Sequence, residues 1–239
     1  MEYAGRNAKE FYLKFTSEFD LTSAAQDIVL VEVSGIDGDL AMSNDRLKGV
    51  SRSFPCEIRL PPGKRIEEES QRITDWLRTG PEKWHDFKYA GDTKYVYKAK
   101  HIEEYSVQRL LSRMGRCVLV FRFKPIKYLI SGMQPLIVAN GQTINNTENT
   151  IAKPLITITG SGNITVNIGK SKLQLVGVDK GIVIDSQSKS VYSLDGQRPQ
   201  WGQMVDIGGF PVIELGNQVI TWTGNVTEMK IVPRLGAKL

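Results

Sequence analysis

The sequence predicts a mainly β protein with one amphipathic helix, and three observations carry that prediction. Only the stretch Pro61 to Pro81 repeats its apolar residues at helical spacing. Nearly everything else alternates with period two. Turn signals rich in Gly, Asn and Asp then punctuate the second half of the chain at intervals of roughly ten residues.

The N-terminal part opens with an aromatic β pattern from Phe11 to Phe19, continued by the apolar run Ile28 to Val33. Between that run and Leu40 lies Ser34-Gly35-Ile36-Asp37-Gly38-Asp39. Asp-Gly between apolar stretches marks a hairpin turn, because glycine accepts positive φ. The Asp37-x-Asp39 pair also suggests calcium, but no ligand loop closing on a glutamate follows, so a turn is the preferred reading. Arg52 to Leu60 supplies the next strand.

The helix is expected over residues 64–79. Ile66, Ile73, Trp76 and Leu77 fall on one face, while Glu67, Glu68, Glu69, Arg72 and Asp75 take the other. Pro61-Pro62-Gly63 and Gly80-Pro81 close it off. The acidic triplet occupies the first turns, where the helix dipole favours carboxylates. Adjacent carboxylates fan out over about 200° of a helix, so they form no facing acid/base pair and read as a solvated face. A lone amphipathic helix needs an apolar cover, and the flanking strands provide it.

Beyond the helix, Trp84, Phe87, Tyr89, Tyr95, Val96 and Tyr97 stand among lysines and read as short strands joined at Ala90-Gly91-Asp92. Such a mixture can stack on single-stranded nucleic acid, but packing across strand pairs is preferred. Ile102 to Leu110 and Cys117 to Phe123 complete this part, with Met114-Gly115-Arg116 as the turn between them. Cys56 and Cys117 alternate with apolar neighbours and are expected as packed thiols on buried strand faces.

Composition changes near residue 130. Residues 1–130 hold 22 Lys/Arg and 19 Asp/Glu, whereas residues 131–239 hold 9 and 7. That drop sets domains at 1–130 and 131–239. The second block reads as short strands separated by Asn140-Gly141, Gly160-Ser161-Gly162-Asn163, Gly169-Lys170-Ser171, Asp179-Lys180-Gly181 and Asp195-Gly196, an antiparallel β-sandwich.

Chemistry is sparse. The sequence has no P-loop, no Gly-x-Ser-x-Gly elbow and no His-Glu-x-x-His. Two cysteines and two histidines are too few for a Cys/His metal site, and the sequence leads to the expectation of no catalytic residue, no cofactor and no metal. Glu2, Arg6, Lys9 and Glu10 interrupt any apolar leader, and the charge-free run Tyr128 to Thr147 contains Asn, Gln, Gly and Pro, so neither a secretory signal nor a membrane span is expected. A net charge of +5 with acids interleaved among the bases does not form a nucleic-acid stripe.

The order of motifs nevertheless resembles a family. An aromatic first strand precedes Ser34-Gly35-Ile36-Asp37-Gly38-Asp39-Leu40, then the helix ending Asp75-Trp76-Leu77, then Phe87-Lys88-Tyr89 and Phe121-Arg122-Phe123-Lys124-Pro125-Ile126-Lys127-Tyr128. Pro154 to Gly162, Val183-Ile184-Asp185-Ser186, Val191-Tyr192, Phe210-Pro211 and Gly216-Asn217-Gln218-Val219-Ile220 follow. Over nearly the whole chain this is similar to the distal tail proteins of long, non-contractile-tailed phages that infect Gram-positive bacteria.

The resemblance implies an N-terminal split β-barrel with one helix and a C-terminal galectin-like β-sandwich. It implies a structural, non-enzymatic role in the virion tail tip after synthesis in the host cytoplasm. A homohexameric ring would surround the channel, with DNA only as passing cargo. Its other partners would be the tail tube protein, the tail-associated tip protein and receptor-binding or baseplate proteins. Asp37, Gly38 and Asp39 are the expected subunit-interface residues. The alternative is a carbohydrate-binding host-adhesion module. Of the galectin Trp-Gly-x-Glu-x-Arg motif only Trp201-Gly202 remains, with Met204 where the acid would stand, so that alternative rests on stacking by Trp201.

Overall fold

The computed structural model describes residues 1–15, 22–205 and 208–239. It is mainly β, with one α-helix among the described residues. The chain divides into two compact units, residues 1–127 with 238–239, and residues 128–237.

The first unit starts with short strands Glu2–Tyr3 (β1) and Arg6–Asn7 (β2) and a 3-10 turn, Ala8–Phe11. Asn7 and Glu10 cap that turn reciprocally, and Tyr12 leaves it with φ +57°. Strand β3 follows as Leu13–Phe15; the rest of the stretch expected to run to Phe19 lies outside the described residues. Among the described strands, Gln26–Glu32 (β4) and Asp39–Leu47 (β5) pair only with each other. Val50–Arg59 (β6) returns to the main sheet and leads to the helix, Ile66–Leu77 (α1). The strands His85–Lys88 (β7), Tyr95–His101 (β8), Gln108–Leu111 (β9) and Met114–Phe123 (β10) complete it, in the order β2-β1-β7-β8-β10-β6-β3.

Helix α1 lies inside the expected 64–79, and Ile66, Ile73, Trp76 and Leu77 are all buried as the spacing requires. Trp76 stacks on Phe11 at 4.5 Å between ring centroids and donates its indole N–H to the Tyr3 carbonyl at 2.9 Å. Phe54, Phe87, Phe121 and Phe123 form the adjoining aromatic core with edge-on and tilted contacts. Glu69 corrects the expectation of a wholly solvated acidic face: it is 2% exposed. Arg72 Nη1 reaches both of its carboxylate oxygens at 2.8 and 2.9 Å, and a buried carboxylate is tolerable because of that pairing.

Two further readings change. Met114-Gly115-Arg116 is not a turn; the chain reverses at residues 112–113, and those three residues open β10. Residues 102–107 are not a strand, and their departure splits the sheet. Strand β8 pairs with β10 at Phe121–Phe123 and β9 pairs with it at Met114–Arg116, so Cys117 to Val120 have β6 on one side and no described strand on the other.

Strand β11 (Ile126–Leu129) runs from the first unit's sequence into the second's. The second unit then contains Leu136–Ile137 (β12), Thr143–Asn146 (β13), Leu155–Ile168 (β14), Ser171–Val178 (β15), Gly181–Asp185 (β16), Ser190–Tyr192 (β17), Met204–Val205 (β18), Gly216–Val232 (β19) and Gly236–Lys238 (β20), whose last residue counts with the first unit. All the ladders from β12 to β19 are antiparallel.

The unit is built on β14 and β19. Gly160-Ser161-Gly162-Asn163 does not separate two strands but forms the middle of β14, and β19 runs unbroken over 17 residues. The early half of β14 pairs with β16 and with late β19; its later half pairs with β15 and with early β19. The register shifts between these halves, where Gly160 and Gly224 lie. A Cβ on Gly160 would come within 2.2 Å of the Asn225 carbonyl oxygen, and one on Gly224 (φ +101°) within 2.3 Å of the Asn163 oxygen. Glycine is therefore what lets both strands bend and stay paired. Ile156, Ile158, Ile164, Val166 and Ile168 alternate into the core from β14, against Ile182, Ile184, Ile220 and Ile231 among others.

Candidate functional site

The β4–β5 hairpin is the feature that the rest of the first unit does not explain. Every residue from 28 to 46 is exposed. A two-stranded ribbon exposed in this way among the described residues is marginally stable in water by itself, and apolar exposure on this scale marks an interaction surface.

Register separates its two faces. Val29 lies opposite Met42 and Val31 opposite Leu40, so these four share one face, continuous with Val33 by alternation. Ile28, Leu30 and Ala41 share the other face with Ser43, Glu32 and Asp39. Leu30, Leu40 and Met42 are 63%, 56% and 55% exposed, and the outer edges of both strands pair with no other described strand.

At the hairpin's root the register breaks, with Asn44, Asp45 and Arg46 facing the single residue Asp27. Asp45 takes φ +50° there and its N–H donates to Ser43 Oγ at 3.1 Å. Asp27 is 6% exposed and accepts hydrogen bonds from Arg46 Nε at 2.6 Å and Lys48 Nζ at 3.3 Å. Arg46, followed by Lys48 and Asn44, holds the Asp27 carboxyl below the usual carboxylate range against a smaller opposing effect of desolvation. Charge ties the two strands together at the root; beyond it, no other described strand pairs with the arm.

Charge is also uneven along the chain. Residues 28–45 contain Glu32, Asp37, Asp39 and Asp45 and no lysine or arginine, on a chain whose formal net charge is +5. The arm is acidic and the remainder basic.

The expected interface residues lie at its tip. Asp37 and Gly38 (φ +85°) occupy the loop and Asp39 opens β5 opposite Glu32; all three are exposed. The apolar face behind them was missed in the sequence, although the unbroken Ile28-Val29-Leu30-Val31 run was its signal. Trp201 lies elsewhere, in a 3-10 turn of the second unit, 52% exposed and edge-on to Phe210 at 5.9 Å. Trp222, on β19, is partly buried.

The mixed aromatics and lysines of the first unit satisfy one another. Lys100 and Lys124 stand 5.9 and 5.3 Å from the Trp84 ring, and Lys127 lies 4.0 Å from that of Tyr95. Among the described residues no group of three or more His, Cys, Asp or Glu could hold a metal ion, and no helix is long and apolar enough to cross a membrane.

No protein-family model matches the chain, and no curated protein does. Solved structures do. The crystal structure of SPP1 Dit (gp 19.1), described as a paradigm of the hub adsorption apparatus in phages infecting Gram-positive bacteria, aligns with a TM-score of 0.72 at 12% identity, covering 99% of this chain and 97% of that one. Chains of the phage P2 baseplate in its activated conformation align at TM-score 0.48 and 11% identity, covering 95% of this chain and 91% of theirs with Ca, and 92% and 90% with Sr.

The molecule is thus a mainly β protein whose whole length follows one known fold. That fold is the one seen in SPP1 Dit, in agreement with the resemblance carried by the sequence motifs.

Proposed function

We propose that this protein is a structural component of a phage tail tip, forming a hexameric ring around the DNA channel. In this reading it joins the tail tube to the tail-associated tip protein and to receptor-binding or baseplate proteins. It acts by shape and contact, with no catalytic step. The shared fold supports the tail-tip role, and the ring number and partners are those the family resemblance implies.

The observation that carries self-assembly is the β4–β5 arm, whose apolar face of Val29, Val31, Leu40 and Met42 has no cover among the described residues of its own chain. A second copy is the occupant that its charge fits. An acidic arm meeting a basic body is a heterologous contact, and such a contact repeated by rotation closes into a ring.

Light scattering of the purified protein, with negative-stain images, tests this reading. The wild type should give a closed multimer. Leu40→Glu/Met42→Glu should give single subunits with an unchanged far-UV circular dichroism spectrum. A wild-type chain that stays monomeric at every concentration and joins no tail-tip protein would overturn the proposal. The exposed Trp201 ring favours a second reading, saccharide stacking, and glycan binding abolished by Trp201→Ala would support it.

A further inference from the structure

Cys56 and Cys117 are the only cysteines of the chain, and both are free. They are directly opposite each other in the β6–β10 ladder, and their Sγ atoms lie 3.1 Å apart. Opposed residues of an antiparallel pair have Cα atoms about 4.5–5.5 Å apart, inside the span that a disulfide bridges. Bonding therefore needs the two sulfurs to close up, with no movement of backbone.

The pair is also placed to be reached. Each thiol is almost fully buried, yet both residues line a cavity of about 580 Å³, with Tyr105, Ser106 and Arg116 among its walls. This cavity adjoins the break between β8 and β9, where the edge of β10 from Cys117 to Val120 is uncovered. A small oxidant fits such a space.

The two sulfurs are not equivalent. The Cys56 thiol donates to the Cys117 carbonyl oxygen at 3.4 Å, whereas in the contact between the two sulfurs either thiol can be the donor. The hydrogen bond shared with Cys56 lowers the pKa of Cys117 against the opposing effect of burial, while that same bond and burial push Cys56 up.

We infer that Cys56 and Cys117 form a peroxide-oxidisable dithiol site that closes to an intramolecular disulfide across β6 and β10. Cys117, deprotonated, attacks one oxygen of hydrogen peroxide. The O–O bond breaks, and the departing hydroxide takes up the thiol proton as water, leaving Cys117 as a sulfenic acid. Cys56 then gives up its proton and attacks that sulfur. The S–S bond forms, the S–O bond breaks, and the leaving hydroxide takes that second proton. Two thiols and one peroxide yield one disulfide and two waters; the sulfurs lose two electrons and the peroxide gains them.

The test uses the full chain, treated with hydrogen peroxide, unfolded in guanidinium with N-ethylmaleimide, and weighed intact. The expected result is a mass lower by about 2 Da with no maleimide adduct, restored by dithiothreitol, and one cross-linked peptide pair joining Cys56 to Cys117. In Cys56→Ser, Cys117 should persist as a sulfenic acid that a cyclic 1,3-dione captures, while in Cys117→Ser the dione should leave Cys56 unlabelled. Two maleimides on every peroxide-treated wild-type chain would overturn the inference, as would a cross-link between chains. Equal dione labelling of the two variants would overturn the assignment of Cys117 as nucleophile.

Discussion

The Arg46 guanidinium of β5 sits 2.6 Å from the Asp27 carboxylate of β4, across the register break at the root of the arm. The bridge ties the two strands of the arm together at their base, and its carboxylate is almost completely enclosed. The arm's order should therefore follow the ionisation of Asp27.

Because the Asp27 pKa is depressed in the folded state, its contribution is present above the ordinary carboxylate value near 4. It is lost as pH falls through the lower folded value. Amide exchange of residues 28–46 should accelerate in that acid range before the main sheet opens. Asp27→Asn should show the same acceleration at neutral pH, with little change in the melting of the β6–β10 ladder. Exchange that is unchanged in Asp27→Asn would show that the arm is held by something else.

Gly38 has φ +85° and open space where a Cβ would stand, so a side chain there meets backbone strain and no clash. Gly38→Val should cost about 1–2 kcal/mol in arm stability and weaken the ring. Gly38→Asn should be closer to neutral, since asparagine tolerates that region. The multimer's dissociation on dilution measures the difference. Equal dissociation of Gly38→Val and wild type would place the tip outside the subunit contact.

In the second unit, Arg234 grips Asp185 with both guanidinium nitrogens, at 2.5 and 3.1 Å. Burial pulls the Asp185 carboxyl up, but the bonds from Arg234 and from the Gln187 and Ser188 amides hold it below its ordinary value. Both side chains are mostly buried, at 14% and 16% exposure. Removing one partner strands a charge, so Arg234→Met should cost about 3 kcal/mol at neutral pH. Asp185→Asn/Arg234→Met should recover part of that loss. The deficit of Arg234→Met should shrink as pH falls through the depressed Asp185 value. Denaturant titrations at several pH values provide the check.

Gly160→Ala forces a methyl to within 2.2 Å of a backbone oxygen and should destabilise the second unit by at least about 2 kcal/mol. Gly224→Ala should do the same, with added strain from its positive φ. Gly202→Ala, which meets nothing within 4 Å, is the control and should be nearly silent. Thermal melts of the three variants read this out directly.

How legible these features were in the sequence depends on how local they are. Helix α1 announced itself because Ile66, Ile73, Trp76 and Leu77 fall on one stripe whatever surrounds them. Glu69 was read wrongly because it was grouped with its acidic neighbours Glu67 and Glu68; it stands three residues after Ile66 and four before Ile73, so the wheel itself puts it on the buried stripe, where Arg72 and Lys64 pair with it. The Asp37-Gly38 turn was visible, but the exposure of Val29 and Leu30 was not. An apolar run says that a strand is to be covered and is silent about what covers it. Gly160-Ser161-Gly162 misled because a turn and a bulge ask for the same residues, and the register with Asn225 decides between them. For Cys56 and Cys117, alternation pointed each inward, but only the ladder register set them face to face.

The pairing of β14 with β19 also dictates a schedule. These are the two longest strands of the second unit, and they are joined only after all of β15 to β18 has been made. A nascent chain emerging from a ribosome must carry Ile156, Ile158 and Ile168 without their β19 neighbours until residues 216–232 are outside the exit tunnel. Until then the half-built unit offers bare strand edges to whatever is nearby. The arrangement that makes the finished unit one continuous piece thus makes its synthesis the period when it most needs shelter.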